Sequence, residues 1–342
     1  MLMTKHSFRR ACKLRPQAKW ASKQGPKLLC GLIPLFFLIL AVSPVSFAGV
    51  DAMPHLRLGA GARSIGMGGA FTAIADDATA TVWNPAGLGS AADLSLNFST
   101  QQLDLDRSHN FIALTKALGS AGSIGLAVTN AGVSGIQQYD ANERYGGTFN
   151  YSANAYSLSY GIGFGNFGIG LTGRMLADNF GAEGVESQSG FGGVDIGLMG
   201  HALHIDVGEE NVPTFHYGLA AKYLGAALGD DTVPMVISVG AAYNLYMGNV
   251  VTFAADIEQE MVNLDESAVS LRLGAEYTIV TYKSTALAIR GGVRASRDTQ
   301  NLFGGFGVNI GGLQIDYAIQ DGMASEINGV GSTHFASLSY RF

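Results

Sequence analysis

Residues 333–342 read Thr-His-Phe-Ala-Ser-Leu-Ser-Tyr-Arg-Phe, and their alternation decides the fold. Ala336, Leu338, Tyr340 and Phe342 share one face of an extended chain, and Ser337, Ser339 and Arg341 share the other, because successive strand side chains point to opposite sides. A segment of this length that is apolar at every second position and ends on an aromatic suits the closing strand of a transmembrane barrel. The same period continues upstream. Leu313, Ile315, Tyr317 and Ile319 oppose Gln314, Asp316 and Gln320. Val269, Leu271, Leu273, Ala275, Tyr277 and Ile279 oppose Ser270, Arg272, Glu276 and Thr278. Phe215, Tyr217, Leu219, Ala221 and Tyr223 oppose His216, Gly218 and Lys222.

Such alternation fits a soluble sandwich, whose apolar faces pack together, or an outer-membrane barrel, whose apolar face meets lipid. Aromatics near the segment ends, a Gly-, Ala- and Ser-rich opposite face, and the terminal Phe342 favour lipid. About fourteen such segments can be counted between 94–101 and 333–342, with short and long connections alternating along the chain, as in barrels with periplasmic turns and outer loops. The connection 201–213 is expected to be long where the rule wants a short one. The expected class is therefore an all-β, antiparallel transmembrane barrel, with both termini in the periplasm of an outer-membrane-bearing cell.

Composition agrees. Of 342 residues, 47 are glycine and only 14% are charged, against about 25% in soluble domains. Residues 1–27 hold eight basic residues and no acid, and 28–48 are apolar, ending Ser46-Phe47-Ala48. This is the layout of a secretory signal cleaved after Ala48. An uncleaved anchor is the alternative, and Pro34, Pro44 and the Ala48 site favour cleavage. Without 1–48, 13 basic residues face 27 acids, a formal charge of −14 in place of −6, and neither cysteine remains. Such acidity excludes a nucleic-acid partner, and no disulfide or cysteine metal ligand is expected.

Residues 57–92 do not alternate. They are dense in Gly and Ala, carry Asp76-Asp77, and then read Trp83-Asn84-Pro85-Ala86-Gly87. Gly61 to Gly66 is followed by Met67, without the Lys and Ser/Thr of a phosphate loop. A segment nearly free of long side chains could pack inside a barrel, because glycine permits close backbone approach. The run Gly61-Ala62-Arg63, Gly66-Met67-Gly68-Gly69-Ala70-Phe71, Ala75-Asp76-Asp77-Ala78 and Trp83 to Leu88 resembles the N-terminal signature of PorV/PorQ-type proteins in the FadL-like superfamily. That resemblance implies a 14-stranded outer-membrane barrel with an N-terminal plug. Signal 1–48, plug 49–92 and barrel 93–342 are the expected divisions. In FadL-type transporters the Asn-Pro-Ala element, here Asn84, Pro85 and Ala86, helps control passage of hydrophobic substrates. PorV-type relatives instead act in type IX secretion and bind exported proteins.

No catalytic constellation is present: GxSxG and cysteine nucleophiles are missing. No cofactor is implied. His201 and His204 would lie on opposite faces of an extended chain and make a poor metal pair. Asp76-Asp77 could hold a cation, but acids there more often cap a turn or helix. Asp256, Glu258, Arg272, Glu276, Arg290 and Arg294 fall opposite apolar residues and should face the lumen. They read either as a salt-bridge network holding plug and register or as a polar wall guiding a solute headgroup, with Arg174, Lys222 and Arg294 as carboxylate partners. The expected partners are membrane lipid, the barrel-assembly machinery (reading Leu338, Tyr340 and Phe342) and a hydrophobic small molecule, with a secreted protein as partner in the PorV-like alternative. A transporter would show an apolar gap, for which the glycine-rich 302–310 is the expected weak seam. A secretion carrier would keep a filled lumen.

Overall fold

The computed structural model describes residues 52–342 apart from 92, 104–105, 141, 183–184, 208–209, 230, 262–266, 282–284, 298 and 323–331. The expected signal peptide lies outside the described residues. The strands are β1 Leu94–Leu103, β2 Arg107–Ala117, β3 Ser123–Tyr139, β4 Tyr145–Phe164 and β5 Phe167–Phe180. There follow β6 Gln188–Val207, β7 Glu210–Leu224 and a small hairpin of β8 Ala227–Leu228 and β9 Asp231–Thr232. The chain continues through β10 Met235–Met247, β11 Asn249–Met261, β12 Ser267–Val280 and β13 Thr285–Ser296. It ends with β14 Gln300–Ile310, β15 Leu313–Gly322 and β16 Thr333–Arg341.

All but the small hairpin join one closed antiparallel barrel of fourteen strands. Each strand pairs with its neighbours in sequence, β7 skips the hairpin to meet β10, and β16 returns to β1 with Leu338 opposite Phe98 and Tyr340 opposite Leu96. Closure leaves no free sheet edge, the condition for strands to span lipid. No helix among the described residues is long and apolar enough to cross a membrane.

The wall is inside out relative to a soluble protein. Leu158 is 61% exposed on the outer face, while the adjacent Ser159 is 1% exposed toward the interior. Outward Leu126, Leu171, Ile257, Ile289 and Phe306 repeat the pattern, as do inward Asn97, Thr115, Thr172 and Asp195. A belt of outward tyrosines, Tyr160, Tyr243, Tyr277 and Tyr340, sits near the turn end of the strands, where amphipathic rings favour a lipid–water boundary.

Three expectations need correction. The connection 201–213 is not a long loop: β6 and β7 continue through it, and Ile205 pairs with Val212. Short turns therefore follow every second barrel strand on one side, called here the turn side, and the opposite end is the loop side. Tyr223 faces inward, not outward with Leu219, because Tyr223 has φ 62° beside a register shift at Val194/Ile196; such a bulge reverses the parity of the face. Finally, β14 is no weak seam. Every residue from Asn301 to Ile310 is paired with both β13 and β15.

Candidate functional site

The interior holds the chain's own N-terminal segment. It enters at the loop side, where Ala52 N donates to Thr232 O at 3.1 Å, and reaches the turn side at β1. The C-terminal Phe342 lies at the turn side, its N–H bonded to Leu94 O at 3.0 Å; the N-terminus lies outside the described residues. Two short helices, α1 Ala62–Gly66 and α2 Ala80–Trp83, and two 3-10 turns, Pro54–Leu58 and Pro85–Ser90, compact the segment. Asp77 accepts from Thr79 N at 2.8 Å just before α2, so the capping reading of this acid holds. Pro85 opens its turn with a preset φ. Asn84 Oδ1 accepts from Ala86 N at 3.1 Å, while its Nδ2 donates to Thr72 O at 2.8 Å and to Leu198 O of β6 at 3.1 Å. Trp83 is buried at the centre, donating to Ala60 O at 2.8 Å and meeting Phe71 edge-on at 6.1 Å.

The wall makes room with glycine. A Cβ on Gly170 would overlap the Pro85 carbonyl, one on Gly197 the Asn84 side chain, and one on Gly161 the Pro85 oxygen. The belt continues with Gly218 against Thr72, Gly274 against Met67 and Gly292 against Gly68. Segment glycines answer in kind. Gly68, at φ 68°, would press a Cβ against the Val293 backbone, Gly69 against Arg294, and Gly87 against Ala75; a Cβ on Gly66 would meet Gly305 only at ordinary contact distance.

Charges add direction. Arg63 of α1 donates Nε to Glu276 Oε2 at 3.1 Å and contacts Asp76 at 2.5 Å and Asp77 at 3.7 Å. Burial works against this guanidinium, but Asp76, Glu276 and Asp77 together hold its pKa above the ordinary arginine value. Arg290 bridges Glu276 and Asp316, 2.7 Å to each. Asp256 accepts the Phe71 and Thr72 N–H groups at 2.9 and 2.8 Å. Toward the loop side, Glu258 meets Lys222 at 3.4 Å, Ser238 at 2.9 Å and Arg272. Lys222 and Arg272 each lie 5.8 Å from the Trp83 ring.

The expected wall residues thus do come together, with three distinctions. Arg174 is spent on Asp195, in a wall-to-wall two-point contact at 3.0 and 2.8 Å. Lys222 is held by Glu258. Arg294 stands opposite Arg272 in the ladder, and its Nε and Nη2 have no hydrogen-bond partner among the described residues. Sequence reasoning passed over Arg63, Asp195 and Asp316. Asp195 and Asp316 carry a usable signal, an acid alternating with apolar residues; Arg63 lies in the non-alternating segment and is marked only by its place in the Gly61-Ala62-Arg63 run of the resemblance. His201 and His204 are also nearer than expected, with ring centroids 5.3 Å apart, because Leu203 at φ 51° breaks the alternation between them. No group of three or more His, Cys, Asp or Glu among the described residues is arranged to hold a metal ion.

Between Arg63, Glu276, Arg290, Gln314 and Asp316 a turn-side cavity of about 60 Å³ remains, room for a few waters and not for a hydrocarbon. A second, smaller cavity lies at the loop side beside His109.

Fold and lumen together define a class: a transmembrane-type β-barrel occupied by its own N-terminal segment. No protein-family model and no curated protein matches the chain by sequence. Solved structures share the fold. The toluene transporter TbuX of Ralstonia pickettii aligns over 83% of this chain and 98% of its own, with a TM-score of 0.58 at 16% identity. The P. putida toluene transporter TodX aligns over 83% and 99%, TM-score 0.57, 12% identity. A FadL homologue of Pseudomonas aeruginosa aligns over 87% and 100%, TM-score 0.52, 10% identity. At these identities the likeness is one of fold.

Proposed function

We propose that the chain is an outer-membrane channel for hydrophobic or amphipathic small molecules, with residues 57–92 as the plug that governs passage. The carrying observation is an inside-out barrel whose lumen is filled by a segment that adds no strand to the wall. Such a segment can rearrange without breaking a single ladder, so the wall survives opening. The shared fold with the toluene transporters TbuX and TodX supports the substrate class. Arg294 supports the amphipathic part: beside the Phe303 ring, 5.3 Å away, its unpartnered guanidinium atoms suit the carboxylate of an otherwise apolar molecule. The turn side faces the periplasm in this reading, and the chain performs no chemistry on its cargo. Leu338, Tyr340 and Phe342 form the outward face offered to the assembly machinery; removing Phe342 should impair surface assembly while leaving export intact.

The filled lumen and the unbroken β13–β14–β15 pairing favour a second reading, a PorV-like barrel that binds exported proteins at its loops. Liposomes containing the purified chain separate the two. The channel reading expects faster entry of toluene and of a long-chain carboxylate than into protein-free liposomes, with Arg294→Gln slowing the carboxylate alone. Entry equal to protein-free liposomes, together with exported proteins co-purifying from native membranes, would establish the second reading instead.

A further inference from the structure

At the loop-side end of the lumen, His55 of the Pro54–Leu58 turn faces His109 of β2, with ring centroids 6.1 Å apart and planes at 54°. Both are buried, 8% and 2% exposed. His55 Nε2, both ring nitrogens of His109, and Oε1 of Gln101 have no hydrogen-bond partner among the described residues. Gln101 sits directly opposite His109 in the β1–β2 ladder, and its Nε2 donates to Gly59 O at 3.1 Å. Segment and wall therefore meet here through uncharged polar groups.

The charges nearby are committed elsewhere. Arg57, on the same turn as His55, pairs with Glu260 of β11 at 2.8 Å. Arg174 of β5 is matched by Asp195 of β6, which also accepts from Tyr223 N of β7 at 2.8 Å. The small cavity beside His109, lined also by Leu56, Thr129 of β3, Arg174 and Tyr223, has no carboxylate in its described wall. A positive charge on either imidazole would have no counterion within the contact and would face the other ring. The same lack of a carboxylate argues against a bound cation.

We propose that this contact is a proton-sensitive latch: protonation of the histidine pair drives the Pro54–Leu58 turn off β1 and β2 and loosens the loop-side part of the luminal segment. The role in passage rests on the plug reading; the latch itself does not. Burial lowers the His55 pKa from 6.5 to about 4, whereas a released His55 titrates near about 6.5. The released state binds more protons below that value, so the closed contact is at full strength above it. It weakens as pH falls, about tenfold per unit, and the loss levels off near pH 4. Across this window release gains roughly 300-fold.

The chain's two cysteines are Cys12 and Cys30; with both changed to serine, Pro54→Cys, at an exposed position of the turn, can carry a single nitroxide label in the full chain reconstituted in liposomes. The expected spectra pass from immobile at pH 7.5 to mobile at pH 4.5, with the midpoint inside the 4–6.5 window. In the labelled background, Gln101→Glu places a carboxylate beside His109, stabilises the closed imidazolium and should move release at least one pH unit lower. His55→Gln combined with His109→Gln should remove the pH response, and either change alone should weaken it. Spectra identical at both pH values, or a midpoint that ignores Gln101→Glu, would overturn the latch. Conductance of the same liposome protein separates the two ideas: mobilisation without any rise in conductance would refute the plug and leave the latch standing.

Discussion

On β4, β5 and β6 the wall meets the luminal segment through glycine and backbone, whereas on β11 to β15 it adds charge. Gly161, Gly170 and Gly197 let Asn84, Pro85 and Ala86 press against bare main chain, and the ion pair Arg174–Asp195 on those strands binds wall to wall. Opposite, Arg63, Phe71 and Thr72 are held by Glu276 and Asp256. Close contact is a sum of many small dispersion terms that a single added methyl can destroy. A buried ion pair gives little net stability but strongly penalises the loss of one partner. One side thus fixes how near the segment sits, and the other fixes where.

The largest effect should come from the charged side. Glu276→Ala leaves Arg63 and Arg290 with a missing buried partner and should cost about 3–5 kcal/mol, read as a lower midpoint in denaturant unfolding of the reconstituted chain. On the glycine side, Gly170→Val overfills the contact with Pro85 and should cost about 1–3 kcal/mol; raised protease cleavage within 57–90 would show that the segment has been pushed out. Asn84→Ala removes the cap on Ala86 and the link to β6, at about 1–2 kcal/mol, by the same unfolding assay. Gly173→Val is the control: a Cβ there meets nothing within 4 Å, and its effect should stay within about 0.5 kcal/mol. Equal losses at Gly170 and Gly173 would break the comparison.

Most of the wall was legible because period two survives wherever a strand is regular. The alternation read from Val269 to Ile279 and from Leu313 to Gln320 falls within β12 and β15. The reading went astray where the backbone inserts a residue. Leu203 and Tyr223 adopt positive φ without being glycine, so nothing in the residue types marks the change of face, and the 201–213 hairpin and the inward Tyr223 were both misplaced. Glycine density at 302–310 suggested weak pairing, but Gly305 is spent on approach to Gly66 and not on opening the ladder. In the lumen, side-chain parity placed Glu276, Arg290 and Arg294 on the inward face. Their partners could not be read, because Arg63 reaches Glu276 across 213 residues of chain through a segment with no period at all.

The central claim, that residues 57–92 close the barrel, is tested most directly by single-channel conductance of the chain lacking residues 57–90 in planar bilayers. The account predicts a folded, heat-modifiable barrel with large, steady openings where the intact chain is nearly silent. A deletion variant that folds and inserts yet conducts no more than the intact chain would contradict it.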